Sequence, residues 1–585
     1  MLVYLFRYYL LPIIACVILM IESSTGQMKK VSMIVYNTSI YSMDDSNRLY
    51  QAMAIDRDRI IEVGRTEKIL SKYTSEKKIE AKGKFIFPGF IDAHAHLLGL
   101  GEEQMNLDLS NSSSLKEIQS MVRRRAGTIG KKSWILGRGW DQNKWNGHQF
   151  SNHAVLDSAA AFNPVYLKRV DGHAGWANAA AMKLCNITKE TKDPPGGKLL
   201  RDAKGEPTGI FLDNAMDLIR NKIPPYTEAE LEQMYSLAIR ECLKVGLTEV
   251  HDMGIDRPKI AAIKNMIRKK IFPFRIYAMI DGVLPEWHEL LKTGKQTFGN
   301  KQFILGGLKL YADGALGSRG ALLSHPYSDD LNNSGLLITP EDSIFHETKI
   351  AVEKGLQVCV HAIGDRANHI VLNAFESVIK SNKIADLRLR IEHVQVLSGD
   401  DFERFSKLQI IASMQPTHCT SDMYWAEARL GADRVKGAYA WNSLLKSGAR
   451  LAGGSDFPVE RPDPLLGIYA AATRRDRTNI PSSQQDIDEK FQLADDSRKS
   501  TDRYSQGWYG NERLSRIDAV KMFTAWAAYA SFQEKEKGTI APNTFADFVI
   551  LDKDIMTIPE QEILRTKVLS TFIGGIEEYR AETSK

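Results

Sequence analysis

The chain has 585 residues, of which 43% are hydrophobic and 25% are charged, and its formal net charge is +5. This length exceeds that of one small domain and predicts either one large domain with insertions or two to three domains. The low net charge and the lack of a dense lysine and arginine block argue against a surface dedicated to nucleic acid.

The N-terminus has the layout of a secretory signal peptide over residues 1–26. Arg7 precedes an apolar run over residues 8–21, and small polar residues follow at 23–26. This run is shorter than the roughly 20 apolar residues that a membrane span needs. We therefore expect cleavage near Gly26, no stable membrane span, and a mature protein that is secreted or stays in the lumen of the secretory pathway. An uncleaved signal that tethers the protein to the membrane is the alternative.

Entry into the secretory route makes glycans and disulfides possible. The cysteines are widely spaced and form no Cys-x-x-Cys motif, which argues against a disulfide scaffold and against a cysteine-based zinc site. A glycoprotein is expected, and its acceptor tripeptides start at Asn37, Asn111, Asn186 and Asn332.

Both ends of the chain contain short strand-like segments with alternating apolar residues and polar turns. Residues 27–88 include VSMIVYNTSIYS and RLYQAMAIDRDRIIEVG, and residues 534–585 include ADFVILD and VLSTFIGG. Because chain termini often lie close together in a folded protein, we predict one small β-sandwich made from both chain ends.

Residues 89–533 contain apolar strand-like segments that alternate with helical stretches, a pattern typical of a parallel sheet. Eight such strands close a TIM barrel, so we predict an α/β protein built on a (β/α)8 barrel. The count of eight strands holds only if residues 102–240 form a large insertion after the first strand. WILGRGW and PVYLKRV within this insertion are also strand-like. The eight predicted strands are FIFPGFIDAHAH, Leu247–Met253, Phe274–Ile280, Ile304–Gly314, Leu356–Gly364, Leu387–Val396, Leu408–Pro416 and Ala449–Pro458.

The first of these strands ends in His94 and His96, which lie two residues apart. Residues i and i+2 of a strand point to the same face, so the two imidazoles can hold one metal ion. An isolated His-x-His pair has a plainer explanation, with one histidine buried and the other exposed. The metal hypothesis therefore needs further ligands elsewhere in the chain.

Four more polar residues occupy a similar place in other strands. His361 closes the fifth strand, His393 the sixth and Asp456 the eighth, and Lys309 lies within the fourth. The carboxyl ends of barrel strands converge on one mouth, where active sites lie. Taken singly, the histidines could be core residues, the aspartate a helix N-cap and the lysine a snorkelling side chain. Their shared position favours one metal site.

The ordered motifs FPGFIDAHAH, GLKLYADGALGSR, VCVHAIGDRAN, RIEHVQ and GGSDFPVE resemble the amidohydrolase superfamily. The chain is most similar to the YtcJ-like branch, amidohydrolase family 3, which includes N-substituted formamide deformylase. GRGWDQNKW, DGHAGWAN and GEPTGIFLDNA in the insertion match this branch too, as does ADFVILD near the C-terminus.

The resemblance implies that one or two divalent ions are bound at this site. Burial in a strand lowers the pKa of a lysine, and a neutral Lys309 could then be carboxylated by CO2 and bridge two ions. Imidazole nitrogens with carboxylate oxygens favour zinc or another transition metal over calcium or magnesium. No organic cofactor is expected, because no dinucleotide-binding or phosphate-binding motif occurs. The implied metal ligands are His94, His96, Lys309, His361, His393 and Asp456.

The expected reaction is hydrolysis of a carbon–nitrogen bond, other than a peptide bond, in a small-molecule amide or formamide. The metal activates a water and polarises the carbonyl, and Asp456 takes the proton as general base and returns it to the leaving amine. Because a fold does not fix its substrate, two alternatives stand: a non-catalytic barrel that only binds ligands, and a metal-dependent ester or phosphoester hydrolase on the same scaffold. The expected substrate contacts are Trp140, Asp141, His173, Asp313, Arg366 and His418.

Overall fold

The computed structural model describes residues 28–109, 112–142, 145, 150–169, 174–194, 197–284, 286–382, 384, 386–476 and 507–582. The predicted signal peptide lies outside these residues and stays a prediction. Among the described helices, we find none with the length and hydrophobicity that a membrane crossing requires. The chain forms two compact units, one drawn from Met1–His96, Arg240–Ile260 and Lys264–Lys585 and the other from Leu97–Ile239 and Ala261–Ile263.

The first unit contains eight parallel strands that pair in chain order, which confirms the predicted (β/α)8 barrel. Each observed strand overlaps one predicted strand. The seam between the last strand and the first is joined by two backbone hydrogen bonds, from His96 N to Phe457 O at 2.9 Å and from Asp456 N to His94 O at 2.7 Å. The strands are β1 (Phe90–Ala95), β2 (Leu247–Ile255), β3 (Arg275–Asp281), β4 (Phe303–Tyr311), β5 (Gln357–Ala362), β6 (Arg390–His393), β7 (Ile411–Met414) and β8 (Arg450–Gly453).

The barrel strands are buried on nearly every residue, as expected of parallel strands that are covered on both faces. A short antiparallel strand, Gln296–Phe298, pairs with β4 outside the barrel order. The barrel unit's helices of five or more residues that follow β2 to β8 are Arg257–Arg268, Trp287–Leu291, Glu341–Glu353, Asp365–Ser381, Phe402–Lys407, Pro416–Asp422, Ala426–Arg434, Trp441–Lys446, Pro464–Thr473, Arg516–Met522 and Ala525–Ala530.

A small β-sandwich is made from both ends of the chain, as predicted. Its first sheet comes entirely from the N-terminal segment, whereas in its second sheet Phe85–Pro88 pairs antiparallel with Phe548–Leu551 from the C-terminal segment. Apolar side chains of both sheets form one buried core, including Met33, Ile55 and Phe548. The remaining strands are Met33–Tyr36, Ala52–Asp56, Arg59–Gly64 and Lys77–Glu80 in the first sheet, and Ser39–Tyr41, Leu49–Tyr50, Val568–Ile573 and Ile576–Arg580 in the second.

The second unit has a six-stranded sheet of its own, which includes the strand-like pieces WILGRGW and PVYLKRV. Its core packs three tryptophans, Trp140, Trp145 and Trp176, with ring centroids 5.7 Å to 5.9 Å apart. In sheet order the strands are Leu107–Asp108, Ile135–Trp140, Val165–Arg169, Ala174–Ala177, Pro207–Asp213 and Gly197–Arg201. The helices within this unit are Leu97–Met105, Leu115–Thr128, Ala154–Asp157, Ala179–Leu184 and Asp217–Arg220, and Glu228–Lys244 leads from this unit to β2.

The cysteines in the described part of the chain are core residues. Cys185, Cys242, Cys359 and Cys419 are all buried, and each has a free thiol. Burial raises the pKa of the thiol in each case, which disfavours the reactive thiolate.

Candidate metal centre

Two histidines and a carboxylate meet where the barrel closes between β8 and β1. His94 lies in β1, His96 follows it directly, and Asp456 lies in the loop after β8. Asp456 Oδ1 is 3.4 Å from His94 Nε2 and 3.2 Å from His96 Nε2. These three residues can each offer one atom to a common ion, because all three ligand atoms lie within 4.8 Å of one another.

The other predicted ligands lie beside this group. Lys309 Nζ, from the buried middle of β4, is 3.5 Å from His94 Nε2. The ring centroid of His393, at the end of β6, lies 4.6 Å from that of His94 and 4.5 Å from that of His361 in β5. The structure therefore brings all six side chains together, although they come from five strands and their loops.

His418 joins the same cluster. It lies in the helix Pro416–Asp422 that follows β7, and its Nε2 is 3.8 Å from Asp456 Oδ2. Its ring is stacked on that of His393 with a centroid distance of 6.0 Å. Sequence reasoning treated His418 as a substrate contact, whereas the structure groups it with His393 and Asp456 as a third candidate ligand. The sequence feature that indicates a ligand role for His418 is its position in QPTHCT, just after a barrel strand.

The cluster contains imidazole nitrogens that fit a metal ion. Among the described residues, His361 Nε2 and His418 Nε2 are buried and have no hydrogen-bond partner. Asp313 Oδ1 lies 3.5 Å from His361 Nε2, outside hydrogen-bonding geometry. A buried polar atom without a partner is costly, and a bound ion would satisfy both nitrogens. The donor set, imidazole nitrogen with carboxylate oxygen, suits zinc or a similar transition metal.

The electrostatics of the cluster favour the neutral, metal-binding form of His94, His361 and His393, because burial lowers the pKa of each. Burial, together with the nearby Lys309, lowers the pKa of His94 to about 4 and that of His361 to about 3. Burial also lowers the pKa of Lys309, although Glu392 and Asp456 oppose this shift. Burial alone would raise the pKa of Asp456, but the neighbouring histidines hold it well below its usual range, so this carboxylate is anionic.

Asp92 organises the seam and was missed from the sequence. Its Oδ1 accepts hydrogen bonds from the backbone N–H of His94 at 3.0 Å and of Ser455 at 3.1 Å, and its Oδ2 accepts one from Ser455 Oγ at 2.6 Å. Gly454 passes so close that a Cβ there would lie 2.6 Å from Asp92 Oδ1. Asp92 therefore fixes the β1 and β8 ends, which present His94 and Asp456. Its signal was the aspartate two residues before His94 in FIDAHAH.

Two of the candidate ligands have left-handed backbone conformations. The φ angle is 78° at His393 and 60° at Asp456. Such a conformation costs about 1–3 kcal/mol at a residue other than glycine and persists only where the surroundings impose it. The hydrogen bond from Asp456 N to His94 O is one such restraint. Strain of this kind is common at functional sites.

The barrel residues predicted to contact substrate have different environments. Asp313 is buried behind His361 and accepts hydrogen bonds from the backbone N–H groups of Leu322, Ile363 and Gly364 at 2.8 Å to 2.9 Å. Burial raises the pKa of Asp313 to about 7. Arg366 is exposed in the first turn of the helix Asp365–Ser381.

The insertion residues predicted to contact substrate lie in the second unit. Trp140 is fully buried in the tryptophan core, and its Nε1 donates a hydrogen bond to Leu167 O at 2.8 Å. Asp141 forms a 2.8 Å ion pair with Arg169. These contacts are structural, and a role for either residue in substrate binding stays a prediction. His173 lies outside the described residues.

Comparison with known proteins places this centre in a family. The model of the "Amidohydrolase family" matches residues 77–576. The protein YtcJ of Bacillus subtilis (strain 168) is 33% identical over 544 residues, which are 92% of this chain and 97% of that protein. N-substituted formamide deformylase of Arthrobacter pascens is 24% identical over 94% of this chain and 98% of its own length.

Among solved structures, one of an uncharacterized metal-dependent hydrolase from Pyrococcus horikoshii OT3 superimposes with a TM-score of 0.74 and 27% identity. The match covers 90% of this chain and 99% of that one. Together with the family match across most of the chain, these similarities confirm the resemblance inferred from the motifs. The chain belongs to the amidohydrolase family.

Proposed function

We propose that the protein is a metal-dependent hydrolase that cleaves the carbon–nitrogen bond of a small non-peptide amide or formamide, with Asp456 as general base and acid. The observation that carries the proposal is the position of the Asp456 carboxylate between two pairs of imidazoles. One pair is His94 and His96, the other is His393 and His418, and each pair forms a group of potential ligands with this carboxylate.

The residues that would hold the ion are the histidines around Asp456, with Lys309 at their edge. A divalent ion bound there acts as a Lewis acid toward a carbonyl and lowers the pKa of water. Because the Asp456 carboxylate is anionic and has one oxygen toward each pair of histidines, it can accept a proton from water and later donate it to a departing amine. Burial lowers the pKa of His94 and His361, so these two imidazoles are neutral and do not replace Asp456 as the proton donor.

A carbon–nitrogen substrate is supported by the similarity over nearly the whole chain to an N-substituted formamide deformylase. An amine is a poor leaving group unless it is protonated as it departs, and Asp456 is placed to return a proton. Ester or phosphoester cleavage on the same centre is the second candidate, because the ion and the carboxylate would serve either reaction. A phosphoester needs less help from a proton donor, so the two candidates differ in their dependence on Asp456.

The test combines metal analysis with a substrate panel. We expect the purified full chain to contain stoichiometric zinc or a similar metal and to hydrolyse N-formyl or N-acyl amines in preference to carboxylate and phosphate esters. Asp456→Asn should lower kcat for the amide about 10²–10⁴-fold, the usual contribution of general acid–base catalysis. The matched control is Asp401→Asn, a buried aspartate of the same unit that pairs with Arg404 at 3.0 Å and lies outside the cluster.

Three outcomes would contradict the proposal. Retained activity in Asp456→Asn would remove this residue as the base. Preference for esters would favour the second candidate. A protein that purifies without stoichiometric metal and hydrolyses no member of the panel would support a non-catalytic binding role.

A further inference from the structure

A column of buried charged and polar side chains fills the barrel interior below the metal centre. Barrel interiors are normally packed with branched apolar residues. Here Glu249 and His251 of β2 and Arg390 and Glu392 of β6 are each no more than 1% exposed. Within each pair the residues are two apart, so both side chains of a strand point to the barrel interior.

Close polar contacts link the side chains of this column to the candidate metal ligand His94. Glu392 Oε2 lies 2.7 Å from His94 Nδ1, and Glu392 Oε1 lies 2.8 Å from Arg390 Nε. Arg390 Nη1 is 2.9 Å from His251 Nδ1, and His251 Nε2 is 3.6 Å from Glu249 Oε1. Lys537, from the C-terminal part of the chain, donates to Glu249 Oε2 at the far end of the column.

The charges fix the direction of each hydrogen bond. An arginine cannot accept a hydrogen bond, so His251 Nδ1 is the acceptor and its proton lies on Nε2, toward Glu249. Glu392 forms a buried ion pair with Arg390, and the adjacent guanidinium favours the carboxylate form of Glu392. A carboxylate can only accept, so His94 Nδ1 carries the proton. The lone pair of His94 is then on Nε2, which faces Asp456 and Lys309.

We propose that Arg390 and Glu392, supported by His251, are positioning residues that fix the tautomer and ring orientation of His94 for metal binding. This inference rests on the metal site of the proposed function. Arg390 is held in turn by Ala93 O at 2.6 Å and by Ser413 Oγ at 2.9 Å, so it cannot swing away from Glu392. A hydrogen bond from a ligating histidine to a carboxylate typically contributes 10- to 100-fold to metal affinity.

Stability alone does not account for the column. Buried ion pairs are weak stabilisers, because desolvation offsets their attraction, and apolar replacements of similar volume are often neutral or stabilising. An apolar interior of similar volume is therefore expected to cost the barrel little stability. The buried charges are explained by a requirement that His94 carry its proton on Nδ1 and present Nε2 to the metal.

The test uses Glu392→Asp in the full chain. The shorter side chain keeps the negative charge beside Arg390, so no unpaired cation is buried, but it withdraws the oxygen from His94 Nδ1. We expect zinc affinity, measured by competition with a chromophoric chelator on the metal-free protein, to fall about 10- to 100-fold. We also expect the visible absorption spectrum of the Co²⁺-substituted protein to change, because the geometry at His94 changes.

The matched control is Asp547→Asn, which breaks a buried pair with Arg275 that has contacts of 2.6 Å and 3.0 Å and does not include a candidate ligand. This variant should lose thermal stability but keep zinc affinity and the Co²⁺ spectrum. Zinc affinity in folded Glu392→Asp within about threefold of the unsubstituted protein, with an unchanged spectrum, would overturn the proposal. An equal loss of affinity in Asp547→Asn would also overturn it.

A second variant covers the case in which Glu392→Asp does not fold. His251→Leu removes the acceptor for Arg390 without touching a candidate ligand, and it should weaken zinc binding in the same direction. Unchanged zinc affinity in this variant would overturn the proposal. If the unsubstituted protein itself bound no zinc, the proposed function would fail, and this outcome is distinct from a failure of the positioning role alone.

Discussion

At the barrel mouth, polar side chains from distant parts of the sequence converge and leave buried nitrogens without partners, as at His361 and His418. In the insertion, Trp140 donates its N–H to a backbone carbonyl and Asp141 pairs with Arg169. Both regions carry distinctive motifs of glycine, aromatic and charged residues. The difference shows that the composition of a motif does not identify a binding site, whereas the convergence of several potential ligand atoms within 4.8 Å of one another does.

The largest effect that separates the two regions is expected from Trp140→Ala. Removing a fully buried tryptophan from a core typically costs about 3–5 kcal/mol, so thermal unfolding of the insertion should shift to markedly lower temperature. Zinc content per chain should stay unchanged, because the candidate ligands lie in the other unit. The control is Phe162→Ala, an aromatic residue of the insertion that is 70% exposed. Loss of zinc from Trp140→Ala would contradict the assignment of Trp140 to a structural region that is separate from the metal centre.

Removal of the metal should destabilise the barrel and leave the insertion unchanged. Binding to the native state adds about 2.7 kcal/mol of stability at a ligand concentration 100-fold above Kd. Chelation should therefore lower the unfolding temperature, and zinc should restore it. Hydrogen exchange can localise the effect: backbone protection should fall in β1, β6 and the loop after β8, and not in the insertion strands Ile135–Trp140 and Val165–Arg169. Equal loss of protection in both regions would contradict a metal centre confined to the barrel.

The sequence predicted the fold and the side chains that gather at the candidate metal centre, because both follow from local patterns. An apolar strand that ends in a histidine is visible in VCVHAIG and RIEH, and the count of eight apolar strands predicts the barrel. The supporting residues depend on contacts that no local pattern shows. Glu392 meets His94 across 298 positions, and Asp92 meets Ser455 across 363. The burial of Trp140 could not be predicted for the same reason. The sequence alone does not distinguish an aromatic residue in a core from one that lines a pocket.

The smallest effect is expected from a substitution of Arg366, because it is an exposed residue near the candidate ligand motif of β5. Arg366→Ala should change the free energy of unfolding by no more than about 0.5 kcal/mol and leave zinc affinity unchanged. An exposed charge contact contributes about 0.2–1 kcal/mol, so a role in substrate binding predicts a rise in KM of up to roughly fivefold with kcat unchanged. The matched control is Arg257→Ala, which removes another exposed arginine from the first turn of a helix after a barrel strand. A KM for Arg366→Ala equal to that of the control would remove Arg366 from the substrate contacts and confine recognition to the buried groups of the mouth.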